Sequence, residues 1–103
     1  MKAITFGTLL AQEGQSEALL KTIQEHMDLL KKQEGFVEGY VARDKGNNHK
    51  FLVISIWQNQ EAQQAAVSKL TGDPLATKGF FELMQLLNGQ PDFGNYLVED
   101  ICR

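Results

Sequence analysis

Cysteine, proline and histidine are scarce in this chain of 103 residues, which contains one cysteine, two prolines and two histidines. The lone Cys102 cannot form an internal disulfide, so the sequence excludes a disulfide scaffold. Neither CxxC nor HxxxH spacing occurs, and the nine glycines show no GxGxxG or P-loop pattern. We therefore expect no metal site, no phosphate-binding loop and no cofactor.

An excess of positive charge and long apolar runs are also missing. Ten Lys and Arg against thirteen Asp and Glu give a net charge of -3, which argues against nucleic acid as a partner. No apolar run approaches the roughly 20 residues that span a bilayer, and the N-terminal segment lacks the apolar core of a signal peptide. We expect a cytoplasmic protein without a membrane partner.

The composition that remains is that of a folded globular protein. Apolar residues make up 43% and charged residues 22% of the chain, which is the ordinary balance. Two domains would leave each half too small to bury a useful core. Residues 1–103 are therefore expected to form a single domain.

Local patterns predict the elements of the first half. Lys2–Leu10 is rich in β-forming residues, and Ser16 at an N-cap position begins a helix that runs to about Gln33. Two β-rich runs joined by a polar turn predict a hairpin of Phe36–Arg43 and Lys50–Trp57. The inner stripe of the helix follows three- and four-residue spacing: Leu19, Leu20, Ile23, Met27 and Leu30.

Capping signals divide the second half. Asn59 is expected to cap a short helix that ends at Thr71-Gly72. Asp73-Pro74 then begins another helix, which continues to Asn88-Gly89. The residues predicted for its inner face are Leu75, Phe80, Leu83, Met84 and Leu87.

The order of elements predicts the fold class. A loop with Pro91 and Gly94 precedes the last predicted strand, Tyr96–Cys102, so the order is β, α, β, β, a broken α and β. This order is typical of the ferredoxin-like α+β fold, a four-stranded antiparallel sheet with helices on one face. Because Lys50–Trp57 is apolar on both faces, we expect a second copy of the chain to cover the other face in a homodimer.

Several segments resemble a known family. They are the loop at Gly14, the Gly35-Phe36 pair, the hairpin from Tyr40 to Phe51 and, above all, Ile56-Trp57-Gln58-Asn59-Gln60-Glu61-Ala62. They are similar to the antibiotic biosynthesis monooxygenase family, whose members are dimeric α+β barrels. The resemblance implies that fold for nearly the whole chain. The activities it implies include cofactor-free oxidation of polycyclic phenols to quinones, haem degradation and the processing of quorum signals.

Two of three characteristic positions separate the haem-degrading members from this chain. Those members use an asparagine on the first strand, a tryptophan at the end of the third strand and a histidine on the late helix. Trp57 matches the tryptophan, whereas the first-strand position is Gly7 and Asp73–Leu83 contains no histidine. Haem binding therefore stays an alternative, and we expect a cofactor-independent reaction.

The resemblance makes Trp57 the candidate catalytic residue, with its indole N–H donating to a ligand oxygen. A large core residue is the alternative interpretation. An apolar pocket around an electron-rich phenolate would favour its oxidation by oxygen, with hydrogen bonds to the developing oxyanion. The residues expected to bind this small aromatic substrate are Phe6, Tyr40, Arg43, Trp57, Phe80 and Tyr96.

Two histidines could act as a base near neutral pH. The sequence favours a solvated His49 beside the turn and a His26 at the edge of the first helix, with a chemical role as the alternative. The sequence thus predicts a monooxygenase of phenol- or quinol-type compounds. The alternatives are a non-catalytic dimer that binds a small ligand or acts in stress, and a haem-binding homologue.

Overall fold

The computed structural model describes all residues from Met1 to Arg103. Its elements follow in the order β1 Ala3–Leu10, α1 Ser16–Leu30, β2 Phe36–Arg43, β3 Lys50–Trp57, α2 Gln60–Thr71, α3 Pro74–Gln85 and β4 Asp92–Leu97. The strands form one antiparallel sheet in the order β2-β3-β1-β4. The predicted ferredoxin-like α+β fold is confirmed. None of the helices has the length and apolar character needed to cross a membrane.

The sheet has two faces of different character. The helix face carries the odd-numbered residues of β1 and β3, and it packs against the helices through Leu9, Phe51 and Trp57. The open face carries the alternate residues and has no layer of protein on it. Its apolar and aromatic members are Ile4, Phe6, Tyr40, Leu52, Ile54, Ile56 and Tyr96.

The buried core lies between the helix face and the helices. The larger cluster joins β1 and β3 to α1 and α3, and the smaller one joins Ala3 and Trp57 to Ala66 of α2. The residues of the larger cluster are Leu9, Ala11, Leu19, Ile23, Phe51, Leu83 and Leu87. These two clusters fix the position of α1 and α3 above the sheet, and so the shape of the space between them.

The start of α1 differs from the prediction. Gln15 occupies the N-cap position without a side-chain cap, and Ser16 is already helical. The Ser16 hydroxyl instead bonds to Nδ1 of His49 at 2.6 Å. The helix also ends at Leu30, earlier than Gln33.

The predicted inner face of α3 is confirmed in part, since Leu83 and Leu87 are buried. Leu75 is exposed, and the buried residues of the helix are Ala76 and Leu83. The helix ends at Gln85 because Leu87 forms a bridge with Ala11 beyond the end of β1. The predicted caps of α2 and α3 are confirmed, since the side chains of Asn59 and Asp73 accept backbone hydrogen bonds.

The last strand lies earlier than predicted. It covers Asp92–Leu97, and Glu99 onward has no regular structure. Gly94 is predicted as a loop residue, but it lies in the middle of β4. A glycine is needed at this position because the Phe6 ring covers it and would overlap a side chain. The glycine therefore marks a close packing contact within the sheet and does not break the strand.

Candidate active site

An apolar cavity of about 100 Å³ lies between the helix face of the sheet and helices α1 and α3. We call it the sheet cavity. Its floor comes from β1 and β3, where the Phe93 ring covers Gly7, and its wall comes from Ile23, Leu30 and Leu83. Phe80 and Phe93 lie at its edge, each about half exposed. The cavity is therefore shaped to hold an apolar group against the sheet.

A second, larger cavity of about 430 Å³ lies among α1, α2 and α3, and we call it the interhelical cavity. Val67, Leu70 and Ala76 contribute most of its apolar lining. The two cavities share three lining residues: His26, Leu30 and Phe80. These three residues therefore form a wall that the two cavities have in common.

A network of polar side chains borders the sheet cavity on the helix face. Gln63 of α2 is buried, and its amide donates to the Thr5 hydroxyl and to Oδ1 of Asn95. Thr5 also donates to Asn95 Oδ1 at 2.9 Å. Ser55 accepts a hydrogen bond from the indole of Trp57 at 3.0 Å. These five residues, which we call the polar cluster, place the hydroxyl groups of Thr5 and Ser55 at the cavity.

Trp57 lies in the core beside the cavity. Only 2% of it is exposed, its ring meets Phe36 edge to face, and it is absent from the lining of both cavities. Its N–H is used by Ser55. A direct hydrogen bond from Trp57 to a ligand stays a prediction, and the structure shows an indirect route through the Ser55 hydroxyl.

His26 is the ionisable residue of the site. The α1 stripe of Leu19, Ile23, His26 and Leu30 turns its ring towards both cavities. Burial lowers the pKa of His26 below its ordinary value of 6.5, so the imidazole is neutral at pH 7. A neutral imidazole has one nitrogen that accepts and one that donates a hydrogen bond.

The predicted binding residues do not converge on one place. Phe80 lines both cavities, whereas Phe6 contributes to the floor of the sheet cavity while its ring stacks on Tyr96 at 5.7 Å on the open face. Tyr40 also lies on the open face, where hydrogen bonding to the Glu38 carboxylate raises the pKa of its phenol. The structure thus separates the predicted set into two faces of the sheet.

Arg43, the remaining predicted binding residue, lies at the end of β2. Its guanidinium pairs with Glu17 at 3.1 Å and lies 4.9 Å from the centre of the Phe51 ring. It lines neither cavity. An anion-binding role for Arg43 in either cavity would require that pair with Glu17 to open.

The sequence of this chain matches the model of one protein family. The family model described as antibiotic biosynthesis monooxygenase matches residues 4–69, more than half of the chain. The chain belongs to this family. No curated protein matches the sequence significantly.

Solved structures of other proteins share the fold of this chain. A mutant of SnoaB from Streptomyces nogalater, a cofactor-independent oxygenase, has a TM-score of 0.83 at 14% identity, over 97% of this chain and 95% of SnoaB. Rv0793 from Mycobacterium tuberculosis has a TM-score of 0.82 at 9% identity, over 100% of both chains. At such identities the likeness shows the fold alone.

The residues of this family member do not fit haem at the positions named above. Gly7 offers no side chain, and α3 carries no histidine. An alanine at position 7 would already place its Cβ 2.8 Å from the Phe93 ring, which covers the glycine. Nor does any group of three His, Cys, Asp or Glu side chains lie close enough to hold a metal ion.

The sequence favoured a place for His26 at the edge of the first helix, with a chemical role as the alternative, and it did not indicate most of the polar cluster. The spacing of His26 from Ile23 and Leu30 carried a usable signal, because three- and four-residue steps continue the inner stripe. The contact of Gln63 with Asn95 carried none, since 32 residues separate them and only the strand register brings them together.

Proposed function

We propose that the protein is a cofactor-independent monooxygenase that oxidises a small aromatic phenol- or quinol-type compound in the sheet cavity. The observation that carries the proposal is the lining of this cavity, which is apolar except for two hydroxyls and one neutral imidazole. Such a site can hold a flat aromatic ring and fix its oxygen by a few hydrogen bonds. Membership of the family and the fold shared with SnoaB support the same reaction type.

The electrons for this reaction come from the substrate. For an anthrone-type carbon, a CH₂ group and O₂ give a C=O group and water, so one oxygen atom enters the product and the other leaves as water. The chain's contribution is a dry cavity and a hydrogen bond from the Ser55 hydroxyl to the oxygen that becomes negative, since the Thr5 proton is already donated to Asn95. Since such bonds strengthen as the oxyanion forms, they favour the transition state over the bound substrate.

Access to the cavity depends on Phe80. At about 100 Å³ the sheet cavity is smaller than the roughly 300 Å³ at which ligand sites begin. Because Phe80 also lines the interhelical cavity and is 46% exposed, we expect its ring to turn away as a substrate enters. The joined space would then accept two or three fused rings.

Oxygen uptake tests the proposal. A panel of reduced naphthoquinols and anthrones is added to the protein in an oxygen electrode cell, with autoxidation without protein subtracted. We expect uptake with at least one compound and its loss in Phe80→Trp, because the larger ring fills the shared wall. Phe81→Trp is the matched control, since Phe81 lies next to it and lines neither cavity. Uptake at the autoxidation rate for every compound would contradict an oxygenase.

A non-catalytic ligand-binding protein is the second candidate. The specific observation in its favour is that the sheet cavity contains a single ionisable group and so no acid–base pair. A binder would return a tightly held aromatic compound unchanged after long aerobic incubation, whereas an oxygenase would return a quinone. Mass spectrometry of the extracted ligand separates the two.

We further propose that the working form is a homodimer whose two sheets meet at the open face. The apolar side chains of that face support this assembly, since helices cover only the other side of the sheet. The site in each subunit would then lie on the outer side of its own sheet. Residues of a single subunit line the sheet cavity, so the proposed site does not need a residue from the partner.

A further inference from the structure

We propose that His26 accepts a hydrogen bond, and in the reaction the proton, from the hydroxyl group of an aromatic ligand in the sheet cavity, so that the site selects phenols over their methyl ethers. The binding part needs only a ligand in this cavity, while the proton-transfer part rests on the proposed function.

The position of His26 is fixed by packing on both sides along α1. Ile23 is fully buried one turn before it and Leu30 lies one turn after it, and all three line the sheet cavity. From α3, Phe80 closes the same wall. The imidazole is therefore held where a ligand's edge must pass between the two cavities.

The imidazole has no hydrogen-bond partner within the protein. The other histidine, His49, has one in Ser16 at 2.6 Å. No buried side-chain nitrogen or oxygen is left without a partner in this structure, so the ring nitrogens of His26 are not sealed from the adjoining space. A partly buried ring that lines both cavities and has no protein partner is available to bind a polar group of a ligand.

No other charge competes with His26. The sheet residues opposite it, Thr5 and Ser55 among them, do not ionise near neutral pH, and the charged residues of the three helices line neither cavity. The charged residues beside His26 in sequence on α1 are Glu25 and Asp28, and those of the two other helices are Glu61, Lys69, Lys78 and Glu82, all of them exposed. Burial alone lowers the pKa of His26, and the neutral ring that results is the form able to take a proton.

The proton step is balanced without an oxidant. The O–H bond of the ligand breaks, an N–H bond forms on His26, and a phenolate and an imidazolium result. The same burial that lowers the pKa of His26 disfavours each separate charge, so the proton can move only while the phenolate and the imidazolium stay in contact and attract each other. The phenolate is the electron-rich species that oxygen can then oxidise, and the imidazolium can return the proton to the oxygen atom that leaves as water.

The first test measures binding without oxygen, so it does not depend on catalysis. The probes are 1-naphthol and 1-methoxynaphthalene, titrated by fluorescence under argon at pH 7.5. We expect the unmodified protein to bind the naphthol about fivefold more tightly, the effect of one hydrogen bond. His26→Phe should abolish this preference, His26→Gln should keep most of it because an amide also accepts, and His49→Gln should leave it unchanged.

A structural role for His26 gives a different result. It would weaken binding of both probes equally and leave their ratio unchanged, which would overturn the proposal. A ratio near one in the unmodified protein would overturn it as well. Far-UV circular dichroism of His26→Phe and His26→Gln shows whether each variant is folded, and the conservative Gln variant carries the test if the Phe variant is not.

The second test applies once oxygen uptake has been observed. The rate should fall as the pH falls through the lowered pKa of His26, because the imidazolium cannot accept a proton. In His26→Gln the fall in rate at low pH should disappear. Its rate should also be about a hundredfold or more below that of the unmodified protein. A Gln variant as fast as its parent would contradict proton transfer while leaving the proposed oxygenase intact.

Discussion

At the scale of single residues, the polar cluster determines how a buried tryptophan can influence a ligand it does not touch. Trp57 donates to Ser55, and Ser55 presents its hydroxyl to the sheet cavity. With its oxygen already accepting from the indole, the Ser55 hydroxyl is free to donate its own proton towards the cavity. The indole thus positions a donor that a ligand oxygen can use.

Trp57→Phe should leave the fold intact and weaken ligand binding several-fold. The phenyl ring keeps most of the apolar contacts with Phe36 and loses the N–H that holds Ser55, at about 1–2 kcal/mol. Urea unfolding and the naphthol titration measure the two effects. Ser55→Ala is the matched variant, and the double variant should add little to either single one. Unchanged binding in Trp57→Phe would show that the indole does not position the Ser55 donor.

Much of this site could not be read from the sequence, for physical reasons. Thr5, Gln63 and Asn95 are ordinary polar residues in strands and helices, and they form a buried network only because β4 pairs with β1 in one register. Arg43 and Tyr40 have side chains suited to a ligand, but their places in the sheet direct one to Glu17 and the other to the open face. His26 was readable from its helical spacing.

At the scale of elements, the sequence predicts correctly those bounds and caps that depend on residues close together in the chain. The bounds of β2 and β3 and the caps of α2 and α3 follow from β-propensity, a polar turn and capping side chains. The prediction of β4 was wrong because its position depends on pairing with β1 and on the Phe6 ring over Gly94. An edge strand of this kind has little local signal of its own.

Gly35, in the connection from α1 to β2, should be the least replaceable turn glycine. Its φ of +86° is left-handed, and an added Cβ would overlap Ala62 at the start of α2. Gly14 has a similar φ of +79° with open space around it. A substitution at Gly14 therefore measures the cost of the left-handed backbone alone. We expect Gly14→Ala to lose about 1 kcal/mol of unfolding free energy and Gly35→Ala a further 1–3 kcal/mol or so.

Urea unfolding of both glycine variants checks this difference. Ala62→Gly added to Gly35→Ala should recover part of the loss, because it removes the atom that overlaps. The same change alone should destabilise α2 by about 1 kcal/mol. Equal losses in Gly14→Ala and Gly35→Ala would show that packing against Ala62 has no effect.

At the scale of the whole molecule, the open face exposes large apolar and aromatic side chains that no part of the same chain covers. Leu52 is 38% exposed, Tyr40 50% and Tyr96 60%, and all three lie on one continuous side of the sheet. Large exposed apolar patches mark interaction sites in folded proteins. Each such side chain left in water loses roughly 1.5–3 kcal/mol of stabilisation, and three or four together match the whole stability of a small domain.

The homodimer predicted from the sequence should therefore form through this face. A two-fold axis lets one patch serve both partners, and the expected particle is about 23 kDa, twice the 11.6 kDa chain. Ile54 is paired with both Phe6 and Tyr40 at the centre of the face, so Ile54→Lys should abolish the dimer. Leu75→Lys is the control, because Leu75 is equally apolar and 71% exposed on α3, away from the face.

Sedimentation equilibrium at micromolar concentration measures both variants and the unmodified protein. Because association and folding are coupled in such a dimer, its melting temperature should also rise with protein concentration. The lysine at position 54 should remove that dependence, either by giving a monomer or by preventing folding, while the lysine at position 75 should preserve it. A folded 11.6 kDa particle with a concentration-independent melting temperature would mean that the open face is stable in water, and the dimer would have to be abandoned.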